Sequence, residues 1–285
     1  MYLIAEIGCN HMGDVDIAEK MVRVAKDCGA DGVKFQKRTP KLCLTEEKYN
    51  APHPNPHNSF GKTYGEHREF LELDIEEHRY LRSLCHDLEI LYGASVWDDR
   101  ALREMVSLNP DFIKIPSALN QDYELIANAV NDFPGPLHVS TGMLTDSERR
   151  SLIKFLKEKV RTKRINYPVY VLYACTSGYP VKFEDGCLLE IEALKEEHSE
   201  RYAVGFSGHH LGIAVDIAAM TLGAEYIERH FTLDRTWRGT DHAASLEPSG
   251  LAKLARDLKN VKMALGNKPE AGLLDVEAEQ RRKLK

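Results

Sequence analysis

The sequence predicts an α/β fold, a single (β/α)8 TIM barrel. Along its 285 residues, eight short apolar runs alternate with amphipathic helical stretches. Apolar runs this short, set between helices, are how parallel strands buried on both faces read. Eight strand–helix units over about 265 residues match a closed barrel in size and count. An open doubly wound sheet would place a G-x-G-x-x-G turn after its first strand, and here that position reads EIGCNHMG.

The runs follow in order: YLIAEIG (2–8), GVKFQ (32–36), ILYGAS (90–95), FIKIPS (112–117), LHVST (137–141), VYVLYAC (169–175), YAVGFSG (202–208) and YIERHFT (226–232). Helical patterns occupy 17–29, 76–89, 99–109, 123–133, 147–160, 188–198, 213–223 and 250–266. Two segments break the rhythm. Residues 37–74 form a long connection rich in Pro, His and Asn, and a connection of that length in a compact domain is a functional one or a disordered one. The division expected is a catalytic barrel over 1–266 and a polar extension over 267–285, read as a cap or a frayed end.

Composition removes several classes of function. With 43% hydrophobic and 29% charged residues, the chain reads as an ordinary soluble globular protein. A net charge of -6 offers no field for nucleic acid, though it permits a local basic pocket for a small anion. No apolar run reaches the roughly 18 residues of a membrane span, and the N-terminus shows no signal-peptide pattern. The six cysteines contain no C-x-x-C pair, so reduced thiols and a cytoplasmic location are expected.

In such a barrel, chemistry sits at the C-terminal ends of strands. Each predicted strand here ends in a reactive or anion-binding residue: Glu6 with Asn10 and His11, Lys34 and Gln36, Ser95, Lys114 and Ser117, Ser140 and Thr141, Thr176, Ser177 and Tyr179, Ser207 and His209, and Glu228 and His230. A serine at one strand end is commonly a helix cap, but all eight ends together point to a site. Lys34 and Lys114 interrupt apolar runs, and a buried lysine needs an anion. Either Glu6 or Glu228 supplies it, or a bound carboxylate or phosphate does, and the second reading is preferred. His209 and His230 end neighbouring strands. They fit either two ligands of a catalytic divalent cation such as Mn or Fe or a hydrogen-bonded loop pair. In YIERHFT, Glu228 and His230 alternate with Arg229 and Phe231, so Glu and His face the same way.

The motifs AEIGCNHMGD, VKFQ, IKIPS, STGM, ACTSGYP, GFSGHH and ERHFTLD resemble, in order, those of the sialic acid (nonulosonic acid) synthase family, over roughly residues 2–266. The resemblance implies a (β/α)8 transferase that condenses phosphoenolpyruvate (PEP) with an open-chain hexose. It also implies a divalent metal, Mn before Mg or Co. Carried over by motif, Lys34, Ser95, Lys114, Ser117, Ser140 and Ser207 resemble the PEP-binding set. Ser177 joins them where many bacterial relatives have Asn. His209 and His230 resemble the metal ligands. Glu6, Tyr179, Glu228 and Asp241 resemble residues that hold the sugar and its aldehyde, with Glu6 or Glu228 handling protons. Asn58 matches a sugar-binding Asn.

Two features bear on the substrate. Many family members continue into a C-terminal antifreeze-like domain that supplies an Arg near the sugar's N-acyl group, and this sequence stops at Lys285. The segments GKTYGEH (61–67) and DRTWRGTDHAASLEP (234–248) resemble the animal-type enzymes, which use 6-phosphosugars. There Lys62, Tyr64, His67 and Arg238 are candidate contacts for the sugar and its phosphate. The expected reaction is mannose 6-phosphate plus PEP, giving the 9-phosphate of 2-keto-3-deoxynononic acid (KDN). The alternative is an N-acetylneuraminate synthase, or its 9-phosphate counterpart. More distant rivals are another 2-keto-3-deoxy sugar acid synthase and a non-catalytic sugar-phosphate-binding barrel. The expected partners are the two small substrates and further copies of the chain, with neither nucleic acid nor membrane.

Overall fold

In the computed structural model, which describes residues 1–160, 170–197 and 202–285, the strands are Tyr2–Gly8 (β1), Gly32–Lys37 (β2), Leu91–Val96 (β3), Phe112–Ile115 (β4), Leu137–Ser140 (β5), Tyr170–Cys175 (β6), Tyr202–Gly208 (β7) and Tyr226–His230 (β8). Each pairs in parallel with its sequence neighbour, and β8 closes on β1, so the expected barrel is what forms. Of the sequence-expected elements, Val169 and His198 lie outside the described residues.

The helices follow the expected order: Val15–Asp27 (α1), Pro40–Cys43 (α2), Glu46–Asn50 (α3), Tyr64–Phe70 (α4), Ile75–Asp87 (α5), Asp99–Leu108 (α6), Tyr123–Asp132 (α7), Asp146–Val160 (α8), Glu190–Glu196 (α9), Ala214–Thr221 (α10), Pro248–Ala264 (α11) and Asp275–Leu284 (α12). Local capping fixes several starts. Asp14 accepts from two first-turn amides of α1, and Asp74 forms a reciprocal capping box with Glu77 on α5. The apolar stripe of α1 (Ala18, Met21, Val22, Ala25) is fully buried and joins the core shared by the barrel's outer face and the helix ring.

The interior of the barrel is closed by rings. Phe112 and His138 stack at 4.4 Å, and His138 meets Tyr226 edge-on at 5.1 Å. The Tyr173 hydroxyl and His138 Nδ1 are 3.0 Å apart. Room for these rings comes from glycines on neighbouring strands. A Cβ on Gly93 would lie 2.3 Å from the Phe112 ring, and one on Gly205 would lie 2.6 Å from Tyr173. Such a floor leaves functional side chains only the upper, C-terminal end of the strands.

The long connection after β2 is structured, contrary to a plain loop. It carries α2, α3, a 3-10 turn at Pro56–Asn58 and α4. A capping box of Thr63 and Glu66 starts α4, and its far end meets the loop after β1, where Phe70 O approaches so closely that only Gly13 fits. Likewise the segment after 266 is not simply frayed: it contains α12, none of whose residues is buried.

Candidate active site

At the C-terminal mouth of the barrel, four buried charges come together. Lys34 on β2 lies 2.7 Å from Glu6 on β1, and Lys114 on β4 lies 2.7 Å from Glu228 on β8. Lys34 is also 3.9 Å from Glu228. Of the two sequence readings, these side chains display the internal one, each lysine having a carboxylate of its own. Burial of charges this deep demands such pairing, and barrel closure supplies it by setting β8 beside β1, with Glu6 level with His230. Two hydroxyls complete the group, with Lys34 donating to Ser95 at 2.7 Å and Ser207 donating to Glu228 at 3.1 Å. Gln36 donates to Glu6 at 3.0 Å. Burial works against ionisation of Glu228, but Lys114 and Lys34 outweigh it and hold the carboxyl well below its usual range. Lys114 also sits 4.1 Å above the Tyr173 ring, a cation–π contact that seats it on the aromatic floor.

These residues line a cavity of about 290 Å³. Of the sequence candidates, Glu6, Lys34, Ser95, Lys114, Ser117, Ser140, Ser177, Tyr179, Ser207, His209, Glu228 and His230 all face it. Trp97, Met143 and Cys175 line it too, Cys175 with its thiol at the end of β6. Its thiol is raised from the usual value by burial, so it is held protonated. Asn10 serves structure instead, donating to Phe231 O at 2.8 Å and to Ser245 at 3.0 Å.

The two histidines do meet. The rings of His209 and His230 are 5.5 Å apart, with Tyr179 packed against both. His209 Nδ1 lies 2.9 Å from Thr176 O, which leaves its Nε2 free of that contact. His230 Nδ1 is buried without a hydrogen-bond partner, 3.9 Å from Asp241 Oδ2. Burial, with the charge of His230 nearby, pushes His209 down to about 3, so it presents a neutral imidazole.

Behind this pair stands a network on the outer face of the strands. Arg229, almost fully buried, donates to His210 O at 2.7 Å and to Gly212 O at 2.8 Å, and it pairs with Asp216 of α10. One side chain of β8 thus clamps the turn that follows β7 and carries His209. The alternation expected for β8 holds, but Arg229 faces a buried polar seam rather than apolar packing.

The remaining candidates lie beside the cavity rather than in its wall. Asn58, Lys62 and Tyr64 belong to the connection after β2, and Arg238 and Asp241 to the loop after β8. The two segments touch, with the Arg238 guanidinium 4.9 Å above the Phe60 ring. Lys62 and Arg238 are exposed, and Asp241 is half-buried. Sequence reasoning missed Arg38 and Arg68 here. Arg38 is buried, forms an ion pair with Glu72 at 3.1 Å and stacks 4.2 Å over Trp97. Its signal was only its place immediately after β2.

The family model for NeuB matches residues 21–270. The chain belongs to the NeuB family. Among its relatives, the N-acetylneuraminate-9-phosphate synthase of Mus musculus is 37% identical over 276 residues, covering 97% of this chain and 74% of that protein. The N,N'-diacetyllegionaminic acid synthase of Legionella pneumophila is 32% identical, covering 99% and 79%. The crystal structure of the N-acetylneuraminic acid (sialic acid) synthetase from Leptospira borgpetersenii serovar Hardjo-bovis in complex with citrate superposes with a TM-score of 0.82 at 27% identity. It covers 99% of this chain and 92% of that one. This NeuB-family chain is accordingly an enzyme, a transferase of the nonulosonic acid synthase type. Among the described residues, no helix is long and apolar enough to cross a membrane.

Proposed function

We propose that this NeuB-family enzyme condenses PEP with mannose 6-phosphate, forming KDN 9-phosphate and releasing phosphate. The observation that carries the reading is the charged quartet of Lys34, Lys114, Glu6 and Glu228 at the foot of a cavity overlooked by two histidines. Lysines in a ring of hydroxyls suit a small anion carrying carboxylate and phosphate. PEP would sit on Lys34 and Lys114, drawing them from their carboxylates, with Ser95, Ser117, Ser140, Ser177 and Ser207 around it. The sugar would lie above it, toward Tyr179 and Asp241, with Asn58, Lys62, Tyr64 and Arg238 at its far end.

In the reaction, C3 of PEP adds to the aldehyde carbon of the sugar. Water then adds at C2, and phosphate leaves by C–O cleavage. Proton transfer falls to one of the two carboxylates, Glu6 or Glu228, and the part of the other is electrostatic. The donor chemistry at the upper rim fits a divalent cation: a neutral His209 and a buried, unpartnered His230 Nδ1. Among the described residues there is no cluster of three ligating side chains, which suits a site whose other positions go to water and substrate. Bound there by His209 and His230, Mn (or Mg or Co) would polarise the sugar aldehyde.

The 6-phosphate part of the reading is supported by the paired segments 61–67 and 234–248 and by the 37% identity to a mouse 9-phosphate synthase. That relative's name also favours a second acceptor, N-acetylmannosamine 6-phosphate. Phosphate release with Mn and PEP, compared across mannose 6-phosphate, mannose, N-acetylmannosamine 6-phosphate and N-acetylmannosamine, tests both. The fastest turnover is expected with mannose 6-phosphate. Equal or higher rates with either N-acetyl sugar would overturn the KDN assignment.

A further inference from the structure

Around the barrel mouth, the buried cations have carboxylates of their own. Lys34 pairs with Glu6, Lys114 with Glu228, and Lys37 and Arg38 both with Glu72. Arg68, the half-buried arginine on α4, is different. Among the described residues, no carboxylate lies within ion-pair distance of its guanidinium. A cation withdrawn from water without a counter-charge is costly.

Its geometry is nonetheless fixed. Nε and one terminal nitrogen both donate to the Tyr64 hydroxyl, at 3.0 and 2.8 Å, and the guanidinium lies 5.1 Å from the centre of the Tyr64 ring. Two of the five N–H donors are thereby spent, and three remain on the planar fork. The helix itself is anchored at both ends, by the Thr63–Glu66 capping box and by the contact of Phe70 with Gly13 in the loop after β1. Phe60 stacks on Phe70 of this helix at 4.9 Å and lies 4.9 Å under the Arg238 guanidinium of the loop after β8, so α4 packs against that loop. Asp241 of the same loop reaches to 3.9 Å from His230. A sugar whose aldehyde end is at His209 and His230 would pass Asp241 and run toward α4, which carries Arg68.

We propose that Arg68, braced by Tyr64, receives the terminal phosphate of the acceptor sugar and sets the preference for a phosphorylated over a free hexose. This rests on the phosphosugar reading above. It differs from the sequence expectation in giving the phosphate to a braced, half-buried guanidinium rather than to the exposed Lys62 and Arg238. Planar guanidinium–phosphate pairing also explains a fork where a lysine would supply only a point charge.

The test compares wild type with R68M, R68K and Y64F, using Mn, PEP and either mannose 6-phosphate or mannose. The readout is the ratio of kcat/KM for the two sugars, with KM for PEP measured alongside. In R68M the ratio is expected to fall by about 10- to 100-fold, the worth of one or two charge-assisted hydrogen bonds. R68K should fall part of the way and Y64F less than R68M. If R68M does not fold, the same ratio in R68K and Y64F decides. A wild type with no preference for the phosphorylated sugar would sink the substrate reading itself. A wild-type preference that persists in R68M, or a loss that falls on KM for PEP instead, would sink only the role of Arg68.

Discussion

Replacing Arg229 by Met gives the sharpest test of how the histidine pair is held. The substitution keeps an unbranched apolar stem but leaves Asp216, with no exposed surface, beside His210 at 3.2 Å as its remaining partner. Breaking a buried ion pair from one side costs about 3–5 kcal/mol. The buried carbonyl of His210 also loses its donor, for about 1–3 kcal/mol more, whereas the carbonyl of exposed Gly212 can turn to water. A loss of about 5 kcal/mol would lower Tm by roughly 10 °C or more in a chain of this size. The double variant R229M/D216L removes the stranded charge and should melt higher than R229M alone, because an apolar replacement of a buried pair is far cheaper than half of one. Thermal unfolding followed by circular dichroism reads both. Arg79, paired with Glu76 at the surface, serves as the control, and R79A should not shift Tm measurably. Since Arg229 anchors the turn bearing His209, Mn binding by EPR, at a temperature where the variant is folded, should weaken by about tenfold. A Tm within about 3 °C of wild type for R229M, or a double variant no better than the single, would refute the clamp.

Other expectations follow from the same geometry. Burial, helped by the charges of Lys37 and His11, pushes His78 down to about 3, whereas in the unfolded chain it titrates near 6.5. Between those values the unfolded state binds the extra proton, so stability present above pH 6.5 drains as pH falls. H78F should flatten that slope by up to about 1.4 kcal/mol per pH unit in urea titrations, and an unchanged slope would count against the buried neutral ring. G205A would drive a methyl into the Tyr173 ring at 2.6 Å, and a loss of about 1–3 kcal/mol at constant m-value is expected, with stability unchanged as the contrary result. If Glu6 is the carboxylate that moves the proton, E6Q should cut kcat by about 10²- to 10⁴-fold while PEP still binds, as calorimetry would show, and retained turnover would assign the proton to Glu228.

The barrel was legible because each strand is a short apolar run with its polar residue at the end, and runs such as YLIAEIG and YAVGFSG coincide with β1 and β7. The site was legible for the same reason, since closure of the ring brings every strand end to one mouth. What the sequence could not resolve was pairing. Glu228 meets Lys114 across 114 residues, and that neighbourhood exists only once β8 returns to β1. The helices after β2 were hidden because α2, α3 and α4 are too short to establish a 3.6-residue period. Arg68 sits in YGEHREF among other charges, where nothing in the order of residues shows that, among the described residues, no carboxylate comes within ion-pair distance of it. The alternation in YIERHFT sets Arg229 on the face opposite Glu228 and His230, which in a barrel is the side toward the helices, and no pattern told a polar seam from an apolar one.

The ring of Phe112, His138, Tyr173 and Tyr226 beneath Lys114 has a kinetic meaning. It makes the cavity a blind well with one opening, so two substrates cannot arrive from opposite ends of the barrel. A narrow well fills from the bottom. Whatever rests on Lys34 and Lys114 must be seated before anything settles at the level of His230 and Asp241, and it would be trapped until the upper ligand moves. With PEP on Lys34 and Lys114 as proposed, ordered kinetics would follow, the deep ligand first in and last out, from the stopper at the base of the barrel rather than from the charged groups above it.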